Sequence, residues 1–278
     1  IIDVTAPSPG VAPNLITESD TGSSDTDNIT NDATPTFDVP AGTGTPGDIV
    51  TIYANGVPVG TGTVDPDGAF SVETGTLSDG GYDITYTFTD TAGNEGLPSP
   101  ALPIVIDTGI PTAITMDGPI ETDDVVDATE AGSVVISGTS AEPTSTVMVK
   151  FTDSLGNIVG PVAATIDPSG NWTTPGVDLT SLVDGPVQVT AIETDNAGNV
   201  GTPVTSGIEL NAIAPTATDD SYTADENVGF TGNIITDDTG NGRDTDPTGI
   251  IVVESINDQS LVPGQTITLP SGALLTVN

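Results

Sequence analysis

Carboxylate side chains are the one chemically active group that this sequence carries in large number. Its 278 residues include 40 Asp and Glu, two basic residues, no Cys and no His, which gives a net charge of −38. Without Cys and His, the usual nucleophiles, general bases and zinc ligands are missing. Carboxylate and carbonyl oxygens are the ligands that Ca²⁺ prefers. The composition therefore predicts calcium binding and argues against an enzyme.

The acids and their Asn neighbours are concentrated in loops between predicted strands. Two loops, at 90–94 and 195–199, share the sequence D-x-A-G-N, and each precedes the last predicted strand of a sandwich. We expect this loop at the same pole as the start of its module and the first inter-strand turn. Together these segments could supply the 6–8 oxygens that Ca²⁺ takes. The candidate calcium ligands are Asp20, Asp25, Asp27, Asp32, Asp90, Asn94, Asp107, Asp123, Asp124, Asp127, Glu130, Asp195, Asn196, Asn199, Asp219, Asp220, Glu226, Asp237, Asp238, Asp244 and Asp246.

Each single Asp also has a second interpretation, because Asp and Asn favour turns for conformational reasons alone. Turn formation is the favoured interpretation for acids in D-P and D-G pairs and their equivalents, namely Asp65, Asp67, Asp79, Asp167 and Asp184. For acids clustered at one pole, metal binding is favoured.

The elements that would position these loops are short strands, arranged in a repeat. The segments beginning at 64, 77 and 106 recur at 166, 182 and 210, so the period is about 104 residues. Alternating Val, Ile and Thr runs bounded by Gly, Pro, Asn and Asp are typical of strands, and about seven per 100 residues indicates a sandwich. The predicted fold class is all-β, with tandem Ig-like or cadherin-like β-sandwich domains in an elongated array. The predicted domains are 1–108, 109–212, and a different, truncated or split β-sandwich at 213–278.

Two aromatic residues have predicted structural roles. The segment 77–82, which ends at Tyr82, resembles a tyrosine corner, in which a Tyr side chain bonds to the backbone a few residues upstream. Trp172, the single Trp, lies in a predicted strand, and we expect it in a core.

Three motifs carry a resemblance to a known family: S-D-T-G…D-x-I-T-N-D…P-T-F at 19–37, the D-x-A-G-N loop, and the I-D-T-x-x-P linker at 106–111. They resemble the bacterial immunoglobulin-like repeats of giant RTX adhesins. The segment 217–227 is similar to the start of their cadherin-like or VCBS-type modules. This resemblance implies a secreted protein at the bacterial cell surface, a stalk that extracellular Ca²⁺ stiffens, and recognition of host-surface glycan or peptide by other domains.

We therefore expect a monomeric structural extender whose partners are neighbouring domains of the same adhesin chain. The alternative is a Ca²⁺-dependent carbohydrate- or peptide-binding module, although the sequence shows no exposed aromatic cluster. A glycosidase would need a carboxylate pair in an aromatic-lined cleft. Such an acidic surface would repel nucleic acid. The sequence has no apolar run of about 18 residues, so no membrane-spanning segment is predicted.

Overall fold

A computed structural model describes residues 2–213 continuously, and these residues form two β-sandwiches. Beyond residue 213 it describes only residues 216, 218, 231–233, 235–236, 242–245, 255–256, 259–260, 266–268 and 274–276. We call the first sandwich, with its N-terminal segment, module 1 and the second sandwich module 2. The predicted all-β fold class is confirmed, since the described residues contain no helix except one 3-10 turn, Ile120–Thr122.

Module 1 is built from eight strands in two sheets. The strands are Asn14–Leu15 (β1), Ile29–Thr30 (β2), Thr36–Val39 (β3), Ile49–Ala54 (β4), Val57–Thr63 (β5), Phe70–Glu73 (β6), Gly80–Thr89 (β7) and Leu102–Ile106 (β8). One sheet has the order β1-β3-β6 and the other β2-β8-β7-β4-β5. Most neighbours are antiparallel, but β2 runs parallel to the end of β8.

Module 2 repeats this plan. Its strands are Thr115–Met116 (β9), Val125–Asp127 (β10), Ser137–Thr139 (β11), Thr146–Asp153 (β12), Ile158–Ala163 (β13), Thr165–Ile166 (β14), Asn171–Thr173 (β15), Gly185–Thr194 (β16) and Val204–Asn211 (β17). Its sheets have the orders β14-β15-β11-β9 and β10-β17-β16-β12-β13. Strand β10 runs parallel to the end of β17, as β2 does beside β8.

In the third segment the structure describes two short antiparallel pairs. They are Ser255–Ile256 (β18) with Gln259–Ser260 (β19), and Thr266–Thr268 (β20) with Leu274–Thr276 (β21). The predicted ligands Asp219, Asp220, Glu226, Asp237, Asp238 and Asp246 lie outside the described residues.

Each module has its own hydrophobic core, and the two cores share no residue. Strand β12 shows the reason: every second residue along it is buried, as the period of two in a strand requires. In module 1, Phe70, Tyr86 and Phe88 meet edge to face, with ring centroids 4.9–6.1 Å apart. The two hydrophobic cores are therefore separate, and the polar poles are left to join the modules.

Both aromatic predictions are confirmed. The Tyr82 hydroxyl donates a hydrogen bond of 2.9 Å to the Ser78 carbonyl, which is the expected tyrosine corner. Trp172 is 1% exposed and packs in the core of module 2 against Gly138.

Replacing Gly138 with Ala should destabilise module 2 by about 1–3 kcal/mol, the usual cost of overpacking a core. A Cβ at this position would lie 2.0 Å from the Thr115 carbonyl oxygen and 2.6 Å from the Trp172 ring. Gly207→Ala is the matched control, because a Cβ there meets nothing within 4 Å. Urea unfolding followed by the fluorescence of Trp172 measures both variants, and equal midpoints would contradict this packing.

Candidate functional site

Four loops of the sequence D-x-x-G-N share one hydrogen-bonding pattern. In each, one Asp oxygen accepts the Asn backbone N–H at 2.8–3.0 Å, and the other accepts the Asn side-chain amide at 2.8–2.9 Å. The Gly has a φ of 85–96°, a conformation that strains any other residue. The loops are 90–94, 153–157, 167–171 and 195–199.

These hydrogen bonds stabilise the charged form of the Asp. Bonds from Asn94 and Asn171 lower the pKa values of Asp90 and Asp167. The pKa of Asp153 falls to about 2, mainly through hydrogen bonds from the Val183 backbone and the Asn157 side chain. The loops at 153 and 167 contain none of the predicted calcium ligands, so this turn also forms outside the predicted sites. Calcium binding by Asp90, Asn94, Asp195 and Asn199 stays a prediction.

In the two D-x-A-G-N loops, the Asn side chain also forms a hydrogen bond to the backbone of the segment that enters its module. The Asn199 amide donates to the Asp107 carbonyl at 2.8 Å, and the Asn94 amide donates to the Asp3 carbonyl at 3.2 Å. Each loop is therefore hydrogen-bonded to the segment that leads into its own sandwich.

The expected positions of the acidic first turns were wrong. The Thr30 carbonyl accepts a hydrogen bond from the Asp107 N–H at 2.8 Å, because β2 runs parallel to the end of β8. The turn that contains Asp20, Asp25, Asp27 and Asp32 therefore lies at the C-terminal pole of module 1, opposite its D-x-A-G-N loop.

The same correction applies to module 2. There β10 pairs with residues 209–211 at the end of β17, so the first turn again lies at the C-terminal pole. Asp123, Asp124, Asp127 and Glu130 each accept a backbone N–H from within this turn, at 2.7–3.2 Å. The short β2 and β10, each two or three residues long, gave too weak a pattern to reveal this pairing.

The corrected geometry brings the two modules into direct contact. The turn 21–23 of module 1, which we call the docking turn, lies on the loop 195–199 of module 2, the docking loop. Thr21 Oγ1 donates to the Ala197 carbonyl at 2.7 Å, and the Ser23 N–H donates to the Asn196 carbonyl at 3.4 Å. A Cβ on Gly22 would lie 1.9 Å from the Asn196 oxygen, so only Gly fits there.

Two carboxylate oxygens near this contact are buried and have no hydrogen-bond partner: Asp20 Oδ1 in module 1 and Glu193 Oε2 in module 2. Asp20 is 4% exposed and Glu193 is 2% exposed. The other Glu193 oxygen accepts the hydroxyls of Ser140 and Ser145. An unpartnered buried carboxylate oxygen is costly, so both atoms point to a missing positive partner.

Further acids surround both atoms. Burial, followed by repulsion from Asp27 and Asp25, raises the pKa of Asp20. On the other side of the contact, burial raises the pKa of Glu142, and the charges of Glu193, Asp195 and Asp107 raise it further. The junction therefore brings two groups of mutually repelling carboxylates to the two sides of one contact.

Sequence reasoning missed Glu142 and Glu193, although the repeat held a signal for Glu193. The N–H of Gly96 donates to the Phe88 carbonyl, and the N–H of Gly201 donates to the Glu193 carbonyl, both at 2.8 Å. Glu193 therefore stands where module 1 has a core aromatic residue. A charged residue at a position that the repeat keeps apolar indicates a special role.

The donor chemistry of the junction fits Ca²⁺, since every candidate ligand is a hard oxygen. The described residues contain no group of three or more acidic side chains already gathered as a metal site. A bound ion would therefore have to draw its carboxylates together and add hydroxyl or carbonyl oxygens. In the third segment, Asp244 accepts hydrogen bonds from the Thr218 N–H at 2.7 Å and its hydroxyl at 3.3 Å.

Fold and junction together define two Ig-like sandwiches joined pole to pole. Residues 5–108 match the family model described as "Bacterial Ig-like domain" (Big_13), which confirms the expected resemblance for module 1. No curated protein matches the chain. None of the described helices is long and apolar enough to cross a membrane.

Several solved structures are similar to the chain. A tetra-tandem repeat from the extending region of a large adhesion protein is 27% identical, with 76% of this chain and 50% of that one covered and a TM-score of 0.34. A 1.5-MDa bacterial ice-binding adhesin is 23% identical, with coverages of 74% and 65% and a TM-score of 0.36. A biofilm-associated protein domain is 22% identical, with coverages of 73% and 30% and a TM-score of 0.25. The chain spans half the length of the tetra-tandem repeat.

Gly198→Ala should destabilise the protein more than Gly93→Ala. Both residues have a φ of 90–96°, so both substitutions strain the backbone, by about 1 kcal/mol or more. A Cβ on Gly198 would also lie 3.0 Å from the backbone of Gly22, whereas one on Gly93 would meet nothing within 4 Å. The difference between the two thermal melting temperatures measures the contact, and its absence would mean that the modules do not touch.

Asp153→Asn should change the acid sensitivity of module 2. The pKa of Asp153 is about 2 in the folded protein and about 3.9 in an unfolded chain. Its stabilisation is therefore full above about pH 4 and is lost as the pH falls through about 2. We expect the variant to be less stable than the wild type at pH 7, with a difference that shrinks towards pH 2. Urea midpoints across this range test it, and a difference that stays constant with pH would contradict the assignment.

Proposed function

We propose that this chain is a Ca²⁺-rigidified extender segment of a large secreted bacterial surface adhesin, and that it holds ligand-binding domains away from the cell. The observation that carries this proposal is the junction, where a direct contact between the modules is flanked by two buried carboxylate oxygens without partners. The match of module 1 to a bacterial Ig-like family supports the extracellular setting. The proposed role is mechanical, with no catalytic step.

Calcium would act at the two groups of acids that flank the contact. In module 1, Asp20, Asp25 and Asp27 would hold an ion through carboxylate oxygens. Across the linker, a second ion would take oxygens from Glu142, Glu193, Asp195 and Asp107. Each ion would supply the positive charge that two basic residues in the whole chain cannot provide. It would also relieve the carboxylate repulsion that opposes docking.

An ion bound by the second group of acids would stiffen the stalk, because this group includes a residue of the linker. Asp107 belongs to the linker, whereas Glu193 and Asp195 belong to β16 and the docking loop of module 2. The Asp107 carbonyl already accepts the Asn199 amide, so the linker backbone is held at this point. An ion bound by Asp107 and module 2 would fix the linker a second time. It would therefore limit the angle between the modules more than a short Pro-containing linker does alone.

Calcium should raise the melting temperature of the chain relative to EDTA, because a ligand that binds only the folded state stabilises it. One site contributes about 2.7 kcal/mol at a calcium concentration 100-fold above its Kd, a shift of several degrees. Circular dichroism melts in EDTA and in millimolar Ca²⁺ measure it. Equal melting temperatures would contradict the proposal.

Glu193→Gln should have opposite effects in the two solutions. In EDTA it should leave the stability unchanged or raise it, because it removes a buried negative charge that no cation balances and that has one oxygen without a hydrogen-bond partner. In calcium, the variant should lose most of the increase in melting temperature that the second ion gives the wild type. Asp67→Asn removes the same single charge from an exposed turn, where the carboxylate accepts only the Ala69 N–H, and should keep the full gain. Equal losses in both variants would reduce the calcium effect to general charge screening.

A further inference from the structure

The N-terminal pole of module 1 carries a second copy of the docking loop. Its residues 90–94 have the same D-x-A-G-N sequence and the same internal hydrogen bonds as the loop of module 2. The Gly residues have φ values of 90° and 96°. The two loops therefore present their backbone carbonyls in the same local conformation.

The surroundings of the two loops match as well. Asp3 Oδ1 accepts the N–H of Thr5, and Asp107 Oδ1 accepts the N–H of Gly109, both at 3.0 Å. Each Asn amide holds the carbonyl of that same Asp. Residue 3 therefore stands in module 1 where Asp107 stands in module 2, and the chain enters both sandwiches along the same path.

The two loops differ in what covers them. Ala197 is 1% exposed because the docking turn lies on it, whereas Thr91, Ala92 and Gly93 are all exposed. Beneath the exposed loop lies Asp48, which is 4% exposed and whose pKa is raised by burial and then by the charge of Asp90. Asp48 directly precedes the first residue of β4, and Ser145 directly precedes the first residue of the equivalent strand β12, so the two residues occupy equivalent positions. Ser145 is one of the two serines that contact Glu193. Both poles thus combine a preformed loop with a buried acid.

We propose that the loop 90–94 is a docking surface for a preceding Ig-like module whose C-terminal pole presents a Thr-Gly-Ser turn like that of module 1. The partner needs Gly at the centre, since a side chain there would collide with the loop backbone, as at Gly22. It needs a hydroxyl group before the Gly to donate to the Ala92 carbonyl. Module 1 carries such a turn at one pole and the matching loop at the other, so copies of it are complementary head to tail. The inference rests on the proposed extender function.

The partner must precede module 1 in the same chain. A second molecule cannot supply its docking turn, because that turn already lies on the docking loop of its own module 2. The linker path through Asp3 also brings the preceding residues to this pole. Docking by a module joined in the same chain has a high effective concentration, which separate chains lack.

A single engineered thiol tests the inference, because the chain has no Cys. The extended protein consists of residues 1–106 followed directly by residues 3–278, so that Asp3 takes the place of Asp107. Ala92→Cys is introduced only in the second copy. In millimolar Ca²⁺, we expect its thiol to react at least about tenfold more slowly than the thiol of the same substitution in the unextended chain. Gly22→Ala in the added copy should restore the fast rate.

Ala197→Cys in the unextended chain is the reference for a covered loop. A slow thiol at position 197 together with a fast thiol at position 92 of the extended chain would overturn this inference and leave the natural junction intact. A fast thiol at position 197 would show that the natural junction is itself open, and would overturn the proposed function as well. A slow thiol at position 92 that Gly22→Ala does not release would mean that something other than the turn covers the loop, which also overturns the inference.

Discussion

This chain has 40 acidic residues and only two basic ones. Its carboxylates must therefore be stabilised by something other than ion pairs. Many of the carboxylates that the structure describes accept hydrogen bonds from nearby residues of their own turn. Each D-x-x-G-N loop folds its own N–H groups around its Asp, which explains the lowered pKa values of Asp90 and Asp167. This solution needs a flexible Gly and a free loop. It fails at the module junction, where Asp20 and Glu193 keep buried oxygens with no donor.

The module interiors and the module poles are therefore stabilised in different ways. The module interiors rely on apolar packing, which is complete within each sandwich. The poles rely on backbone hydrogen bonds and leave negative charge unbalanced. Module 2 even places Glu193 where module 1 has Phe88 in an aromatic cluster. Giving up apolar packing at that point is consistent with a role for the carboxylate at the junction.

Much of the fold could be predicted from the sequence, because it depends on local patterns. The all-β class follows from alternating Val, Ile and Thr, and the tyrosine corner from one short motif at Tyr82. The pole of the first turns could not be predicted, because it depends on a two-residue strand, Ile29–Thr30, pairing in parallel with β8. Glu193 could not be recognised from its own strand, because the sequence does not show that the equivalent Phe88 is a core residue of module 1. The D-x-A-G-N loops at 90–94 and 195–199 are predicted to bind calcium, but their internal hydrogen bonds do not by themselves mark a calcium site. The same Asn-to-Asp bonds form at 153–157 and 167–171, where no calcium ligand is predicted.

In the proposed function, calcium binds at the junction and balances its buried carboxylates. Anomalous X-ray scattering from crystals of the chain grown in millimolar Ca²⁺ tests this directly. We expect a calcium peak beside Glu193 and the linker residue Asp107, and a second beside Asp20. Peaks confined to exposed turns elsewhere, or none at the junction while Glu193 keeps its oxygen unpartnered, would contradict it.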